Sequence, residues 1–251
     1  MNGYLPYFNP HGGGSNPPTI PRPARRRLER ARYPTFSTVK LSWNARDIPH
    51  GFLNDTPIHL IYRVRGCAPV KKLRMLHEDL RERLAVVKTM GTFSDEVLGE
   101  AMEEWQAAYD NLLDAQDQRK YVLADPTAAQ LVLDSWQTLR DRAEVKLYAV
   151  CIMGNHVHAL LSGVEGAPET RIAPLVGRHK SFTDNAIKKA LGHKANVWDD
   201  GFYDRYVRPG TFEQVLRYLL DNPVKAGLVQ HWRAWPHTFV DERCVAWLEA
   251  W

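Results

Sequence analysis

The chain of 251 residues is long enough for one sizeable domain with appendages. Hydrophobic residues make up 44% of it and charged residues 25%, as in ordinary soluble proteins, and no apolar run reaches the roughly 18 residues of a membrane span. The first 21 residues lack the charged-then-apolar pattern of a signal peptide. Cys67, Cys151 and Cys244 are too widely spaced for a zinc motif or a disulfide framework. We therefore expect a cytoplasmic protein with no membrane partner.

The positive charge is concentrated near the N-terminus. The net charge is only +4, which by itself does not indicate a nucleic-acid partner. Residues 22–32, however, contain six arginines and a single acid, Glu29, within a segment rich in Gly, Pro and Asn. We predict that residues 1–45 form a flexible basic arm. Contact of this arm with DNA phosphates and a merely solvated tail both stay open.

The first part of the domain is predicted to be one strand followed by three helices. Residues 57–65 alternate apolar Ile58, Leu60 and Tyr62 with polar side chains, which is typical of a half-buried strand. Apolar residues at helical spacing then predict helices over 69–87, 95–113 and 126–142.

A hairpin and two further helices complete the predicted domain. Residues 146–153 and 156–162 are apolar strands joined by the two-residue turn Gly154-Asn155. Helical spacing returns over 172–191 and 211–222, where Pro223 is expected to end the helix. The order favours an α+β fold, an antiparallel sheet with helices packed on one face. We place the domain at 46–240 and a C-terminal tail at 241–251.

His156 and His158 are the first candidate metal ligands. Side chains two residues apart on a strand point to the same side, so both imidazoles can reach one ion. Val157, Ala159 and Leu161 alternate with them and are predicted to face the core. Alone, a His-x-His pair also fits two incidental histidines near a sheet surface.

Tyr218 and Asn222 form the second group. They lie four residues apart and are expected to share one face of the last helix. Alone, the tyrosine fits packing and the asparagine fits a helix stop. Together with the histidine pair they offer two imidazoles, an amide oxygen and a phenol, the parts of a mixed N/O metal site beside a nucleophile.

Several segments resemble the HUH single-tyrosine (IS200-like) transposases, and within them the REP-associated tyrosine transposases. The hairpin CIMGNHVHALLS resembles their histidine motif, and YLLDNPVKAGLV resembles the catalytic helix and its exit. Between and around these, the matching segments are IHLIYRVRG, YDNLLDAQDQRKYVLADPTAAQLVLDSW, HKSFTDNAIKKALG, VWDDGFYDRYVRPGTFEQVLRYLL and WRAWPHT. The resemblance covers about residues 57–238. Gly154 departs from it, because the family usually has proline there, and the arm has no counterpart.

The resemblance implies an HUH/RRM-like fold and a bacterial endonuclease and strand transferase acting on single-stranded DNA. It implies that Mg²⁺ or Mn²⁺ is bound by His156, His158 and Asn222. It also implies that Tyr218 attacks a phosphodiester, giving a 5′-phosphotyrosine and a free 3′-OH whose later attack rejoins the strand without any nucleotide cofactor. The substrate it implies is a folded hairpin of a REP palindrome.

Basic side chains near these motifs are candidate DNA contacts. Phosphate binding requires cations, and unpaired bases stack on flat side chains. We predict DNA contacts for Lys180, Arg178, Arg208, Arg205 and Arg63. The remaining histidines, including His179 and His193, are predicted to be structural or solvent-exposed.

Two other functions stay open at this point. A replication initiator or plasmid relaxase would use the same kind of site, although the Tyr-x-x-x-Asn-Pro context favours the transposases. A descendant that holds palindromic DNA for regulation without cutting it would keep the fold. A monomer is preferred to a homodimer.

Overall fold

The computed structural model describes residues 50–89 and 95–248, so the arm predicted over 1–45 lies outside the described residues. The strands are β1 (Phe52–Leu53), β2 (Ile58–Arg63), β3 (Lys146–Ile152), β4 (His156–Ser162), β5 (Thr170–Arg171), β6 (Tyr203–Tyr206) and β7 (Thr238–Val240). The α-helices are α1 (Val70–Thr89), α2 (Asp95–Asp114), α3 (Pro126–Asp141), α4 (Ile172–Leu191), α5 (Phe212–Leu220), α6 (Asn222–Lys225) and α7 (Glu242–Leu248). Among these, none is long and apolar enough to cross a membrane.

The domain is organised around one antiparallel sheet of five strands in the order β6-β2-β4-β3-β7. The hairpin strands β3 and β4 pair directly, and β2 pairs with the free side of β4, with Ile61 opposite His158. β1 and β5 form a separate two-stranded sheet. Because β2 and β4 lie in the interior, nearly all their side chains are buried, whichever face they point to. The predicted α+β class and antiparallel sheet are confirmed.

Helices cover both faces of this sheet. On one face, Tyr62 of β2 accepts a hydrogen bond from Trp136 of α3 at 2.9 Å and contacts His179 of α4. On the opposite face, α5 packs Leu216 and Leu219 against β3 and β4. α2 also lies on this second face, where its side chains contact those of β2 and β6. The predicted one-face arrangement therefore holds for α3 and α4 only.

The last predicted helix is broken where it approaches the motif of Tyr218. α5 ends at Leu220, and after Asp221 the chain starts the short helix α6. Pro223 lies in the first turn of α6, where its missing N–H removes no helical hydrogen bond. The prediction that Pro223 ends the helix was wrong, since this proline begins one. Asn222 consequently starts α6 and is not in the last turn of α5.

The C-terminal segment predicted as a tail over 241–251 includes α7. Cys244 of α7 is buried in the same apolar cluster as Leu216 and Leu220 of α5. The short strands β1, β5, β6 and β7 were not predicted, because two to four residues carry too little periodicity to indicate a strand.

Gly154 occupies a turn where no larger residue fits. A Cβ at this position would lie 2.1 Å from the carbonyl oxygen of Gln118, well inside van der Waals contact. The side chain of Gln118 meanwhile accepts a hydrogen bond from the backbone N–H of Asn155 at 3.2 Å. The close approach of Gln118 to the hairpin therefore leaves space only for glycine at position 154, where the resembling family has proline.

We predict that Gly154→Ala destabilises the protein by about 1–3 kcal/mol, as overpacking of a tight interior does. Gly177→Ala is the matched control, because Gly177 lies within α4 with nothing within 4 Å of its Cβ position. That control should be neutral or stabilising by up to about 1 kcal/mol. Urea unfolding of the three proteins measures both effects, and equal stability of Gly154→Ala and the unchanged chain would contradict the prediction.

A second prediction concerns pH. Burial lowers the pKa of His179 to about 3, and its ring is held neutral between Tyr62 and Ser135. As the pH falls below about 6.5, His179 is protonated in the unfolded chain, whereas in the folded chain it is protonated only near pH 3. The stability that neutral His179 contributes above pH 6.5 is thus lost on acidification, and the free energy of unfolding falls by up to about 1.4 kcal/mol per pH unit.

Urea unfolding at pH 7, 6 and 5 tests this with His179→Gln. The variant should be less stable at pH 7. Its free energy of unfolding should nevertheless fall less steeply as the pH is lowered, and the difference in slope should correspond to about one proton. The other buried histidines remain in both proteins, so the difference in slope isolates His179. Parallel pH curves would exclude this role.

Candidate active site

The side chains of His156 and His158 lie on the second face of the sheet, and both residues are 0% exposed. Their Nε2 atoms are 2.9 Å apart. The Nδ1 of His156 donates to Oδ1 of Asn155 at 2.6 Å in the tautomer that leaves Nε2 unprotonated. Burial lowers the pKa of His156 to about 3 and holds that of His158 well below its usual range. Both rings are therefore neutral, the form in which imidazole binds metals.

A third histidine, His59 of β2, joins the pair. Its Nε2 is 3.1 Å from Nδ1 of His158, and its Nδ1 is 2.9 Å from the amide nitrogen of Gln106 in α2. The cross-strand register places it there, since His59 points to the same face as His158. Groups that hold the second ring nitrogen of a ligating histidine fix its orientation. Asn155 and His59 do this for His156 and His158.

Tyr218 lies beside these rings at the end of α5. Its ring centroid is 6.3 Å from that of His158 and 6.2 Å from that of His59, edge-on in both cases. Asn222 donates through Nδ2 to the carbonyl oxygens of Tyr218 and Leu219, at 2.9 and 3.2 Å. Its Oδ1 is buried and has no hydrogen-bond partner. The structure thus brings Tyr218 against the predicted pair and leaves one amide oxygen unsatisfied.

These donors fit a divalent cation. Two ligands bound at right angles at about 2.1 Å from one ion lie about 3 Å apart, close to the observed separation of the two Nε2 atoms. A buried oxygen without a partner, as in Asn222, is costly unless something binds it. Within the described ranges, no cluster of three or more His, Cys, Asp or Glu forms a metal site, so the donor set depends on this amide.

Two carboxylates of α2 face the same site. The phenolic O–H of Tyr218 donates to Oδ2 of Asp110 at 2.5 Å, and Oδ1 of Asp114 is 4.0 Å from Nε2 of His156. Burial raises the pKa of Asp110 to about 7 and that of Asp114 to about 6. Burial also raises the pKa of the Tyr218 phenol, as does the neighbouring Asp110. The phenol of Tyr218 is therefore protonated and hydrogen-bonded to a carboxylate oxygen.

Lys225 places a positive charge beside the ring of Tyr218. Its Nζ lies 3.8 Å from the ring centroid of Tyr218, and the residue is exposed on the turn after Pro223. A cation over an aromatic face is held by the ring quadrupole. Lys225 therefore offers charge beside the phenol without shielding it from solvent.

Sequence reasoning missed His59, Gln106, Asp110, Asp114 and Lys225. A signal for three of them was present, because Gln106, Asp110 and Asp114 recur every four residues on one face of a predicted helix. Such polar stripes are usually solvent-facing, and nothing local indicated that this one is buried against a sheet.

Comparison with known proteins assigns one segment of the chain to a family. The model of the family "Transposase IS200 like" matches residues 105–222, the segment from α2 to Asn222. This segment is an IS200-like transposase domain. No curated protein matches the chain. Membership of the family implies that the domain cuts DNA.

Two solved structures are similar to the chain at low sequence identity. One, described as a REP-associated tyrosine transposase bound to a REP hairpin, is 14% identical, with a TM-score of 0.44 over 78% of this chain and 82% of that one. The other, described as a putative transposase from Deinococcus radiodurans R1, is 15% identical, with a TM-score of 0.35 over 72% of this chain and 98% of that one.

The basic residues predicted to contact DNA in the transposase domain are bound within the protein. Arg205 and Arg208 both pair with Glu103 of α2, at 3.1 and 2.6 Å. Arg63 pairs with Asp199 at 2.5 Å, and Arg178 with Glu144 at 2.7 Å. The Nζ of Lys180 donates to two backbone carbonyls of the loop at 199–201, and burial lowers its pKa to about 8. Their role in DNA binding stays a prediction.

We predict that replacing either histidine of the pair weakens Mn²⁺ binding by the transposase. Loss of an outer-shell partner of a metal-bound histidine typically costs 10–100-fold in affinity, so loss of a ligand should cost at least about tenfold. Asn222→Ala should cost less, because a neutral amide binds a hard cation more weakly than a carboxylate does.

Calorimetric Mn²⁺ titration compares His156→Ala, His158→Ala, Asn222→Ala and the control His193→Ala. Since both rings are buried, thermal melting must first show that each variant is folded. Equal affinity in folded variants and in the unchanged chain would make the pair purely structural.

Proposed function

We propose that the chain is a single-stranded DNA endonuclease and strand transferase that acts on palindromic hairpin DNA through a 5′-phosphotyrosine intermediate. The observation that carries this is the placement of the Tyr218 phenol beside two neutral imidazoles whose Nε2 atoms converge. Membership in the IS200-like transposases supports cutting of DNA in general. The nucleophile and the donor set supply a specific route.

The protein's own groups prepare the attack. Asn155 and His59 hold the two rings with their Nε2 atoms toward one point, and Asn222 presents its free Oδ1. His156, His158 and Asn222 would hold Mg²⁺ or Mn²⁺, which would supply Lewis-acid activation of the scissile phosphate. Tyr218 then forms the new bond to phosphorus. Because the phosphodiester energy is conserved in the phosphotyrosine, a 3′-OH can later displace Tyr218 and join the strands with no nucleotide cofactor.

Binding of DNA would exchange internal ion pairs for phosphate contacts. Glu103 pairs with Arg205 and Arg208, and partly exposed arginines paired in this way can exchange the carboxylate for a phosphate. Phe182 on α4 is an exposed aromatic ring, 62% accessible, one turn from Arg178. Such a ring suits stacking of an unpaired base. These features support single strands or hairpin loops as the substrate.

The REP-associated branch is the preferred assignment within the family, because the motifs around both histidines and Tyr218 match it in order. A monomer is sufficient for the proposed chemistry, since Tyr218 reaches the histidine pair of its own chain. Binding of palindromes without cutting is the alternative, and it predicts hairpin binding with no covalent protein–DNA adduct.

We predict that Tyr218→Phe abolishes covalent attachment to DNA, because only the phenolic oxygen is lost. Affinity for the hairpin should change by less than about threefold, since no phosphate contact is removed. The measurement is incubation of a labelled single-stranded palindrome with Mn²⁺, resolved on denaturing gels for a protein–DNA adduct.

Phe212→Tyr, at the start of α5, is the control, because it exchanges the same two aromatic residue types elsewhere in the same helix. An adduct in Tyr218→Phe would remove Tyr218 from its role. Tight hairpin binding with no adduct in the unchanged chain would favour the non-cutting regulator.

A further inference from the structure

Asp110 is buried in contact with the atom proposed to react. Its Oδ2 accepts the phenolic hydrogen of Tyr218 at 2.5 Å, while Asp110 itself is 1% exposed. Its Oδ1 is buried without any partner. A carboxylate in such a position lowers stability, because a buried charge loses its hydration.

The position of Asp110 is fixed by its neighbours on α2. One turn earlier, Gln106 accepts a hydrogen bond from Arg205 and contacts His59, and its Nε2 is 3.5 Å from Oδ2 of Asp110. One turn earlier again, Glu103 pairs with Arg205 and Arg208 of β6 and the following loop. These contacts clamp α2 onto the sheet, so Asp110 is held against the phenol.

We propose that Asp110 is a catalytic residue that accepts the proton of Tyr218 during attack on DNA and returns it when the strand is rejoined. The proposal rests on the function proposed above and adds the proton acceptor that a phenol needs. A phenol has a reference pKa of about 10, so at neutral pH it is a poor nucleophile without a base.

The step balances without an added reactant. The O–H bond of Tyr218 breaks and its proton passes to Oδ2 of Asp110, while the phenolic oxygen forms a bond to phosphorus. The bond from phosphorus to the 3′ oxygen breaks, and its electron pair leaves on that oxygen, which takes a proton from water. In rejoining, an incoming 3′-OH attacks phosphorus, loses its proton to water, and the departing phenolate recovers the proton of Asp110.

The electrostatics of the site support this role. Burial raises the pKa of Asp110 to about 7, and a general base is most effective when its pKa lies near the working pH. The phenol and the carboxylate are already within hydrogen-bonding distance, which is the geometric requirement for direct transfer.

The test compares rates of adduct formation in Asp110→Asn and in the unchanged chain on a saturating single-stranded palindrome with Mn²⁺. Asparagine has the shape of aspartate and cannot accept the proton, so the rate should fall by about 10²–10³-fold. Hairpin affinity should stay within about threefold. Glu104→Gln is the matched control, an exposed carboxylate on α2 that should keep the full rate.

A fluorinated tyrosine at position 218 separates proton transfer from a structural effect. Its more acidic phenol depends less on a base, so it should recover roughly tenfold or more of the rate lost in Asp110→Asn. In the unchanged chain the same replacement should alter the rate by less than about threefold. This second comparison needs no change at Asp110 and stays decisive if Asp110→Asn fails to fold.

The outcomes separate the two proposals. Adduct formation at the normal rate in folded Asp110→Asn, or a large acceleration by fluorination in the unchanged chain, overturns the role of Asp110 alone. An adduct that persists in Tyr218→Phe overturns the proposed function itself. A slow Asp110→Asn that fluorination does not recover, with normal melting and hairpin affinity, also contradicts proton transfer.

Discussion

Close contacts among buried polar side chains of the site shape the second face of the sheet. Close polar contacts run from the hairpin turn to strand β6 through Asn155, His156, His158, His59, Gln106 and Arg205, and the Nε2 atoms of His156 and His158 face each other at 2.9 Å. In an interior of low dielectric, an unpaired member of such a chain costs roughly 1–3 kcal/mol, so each holds its neighbour in place. The orientation of the His156 and His158 rings therefore depends on the whole series of contacts.

Helix α2 completes this network of contacts through the side chains on one of its faces. One face of the helix carries Glu103, Gln106, Asp110 and Asp114, which contact Arg208, His59, Tyr218 and His156 in turn. The same helix thus neutralises candidate DNA contacts and supplies the proposed proton acceptor. Arrival of DNA phosphates at Arg208 would compete with Glu103, which links substrate binding to the clamp that holds Asp110.

Much of the fold could be predicted from the sequence, since long amphipathic segments and the apolar hairpin carry strong periodicity. The helix over 172–191 and the strand over 156–162 have the predicted bounds. The short edge strands and the start of α6 at Asn222 could not be predicted in this way. A strand as short as β6 depends on its partner β2, and Pro223 is compatible with either end of a helix boundary.

The sequence by itself indicated the histidine pair, the tyrosine and the asparagine, because each lies within a short motif, and strand spacing fixes that His156 and His158 share a face. Only the tertiary structure decided that Asp110 meets Tyr218, since 108 residues separate them and a polar stripe on a helix looks like a solvated face. Likewise, only the register of β2 on β4 places His59 beside His158. Local patterns specify periodicity, but the contacts that pair buried charges with their partners depend on which faces are packed together.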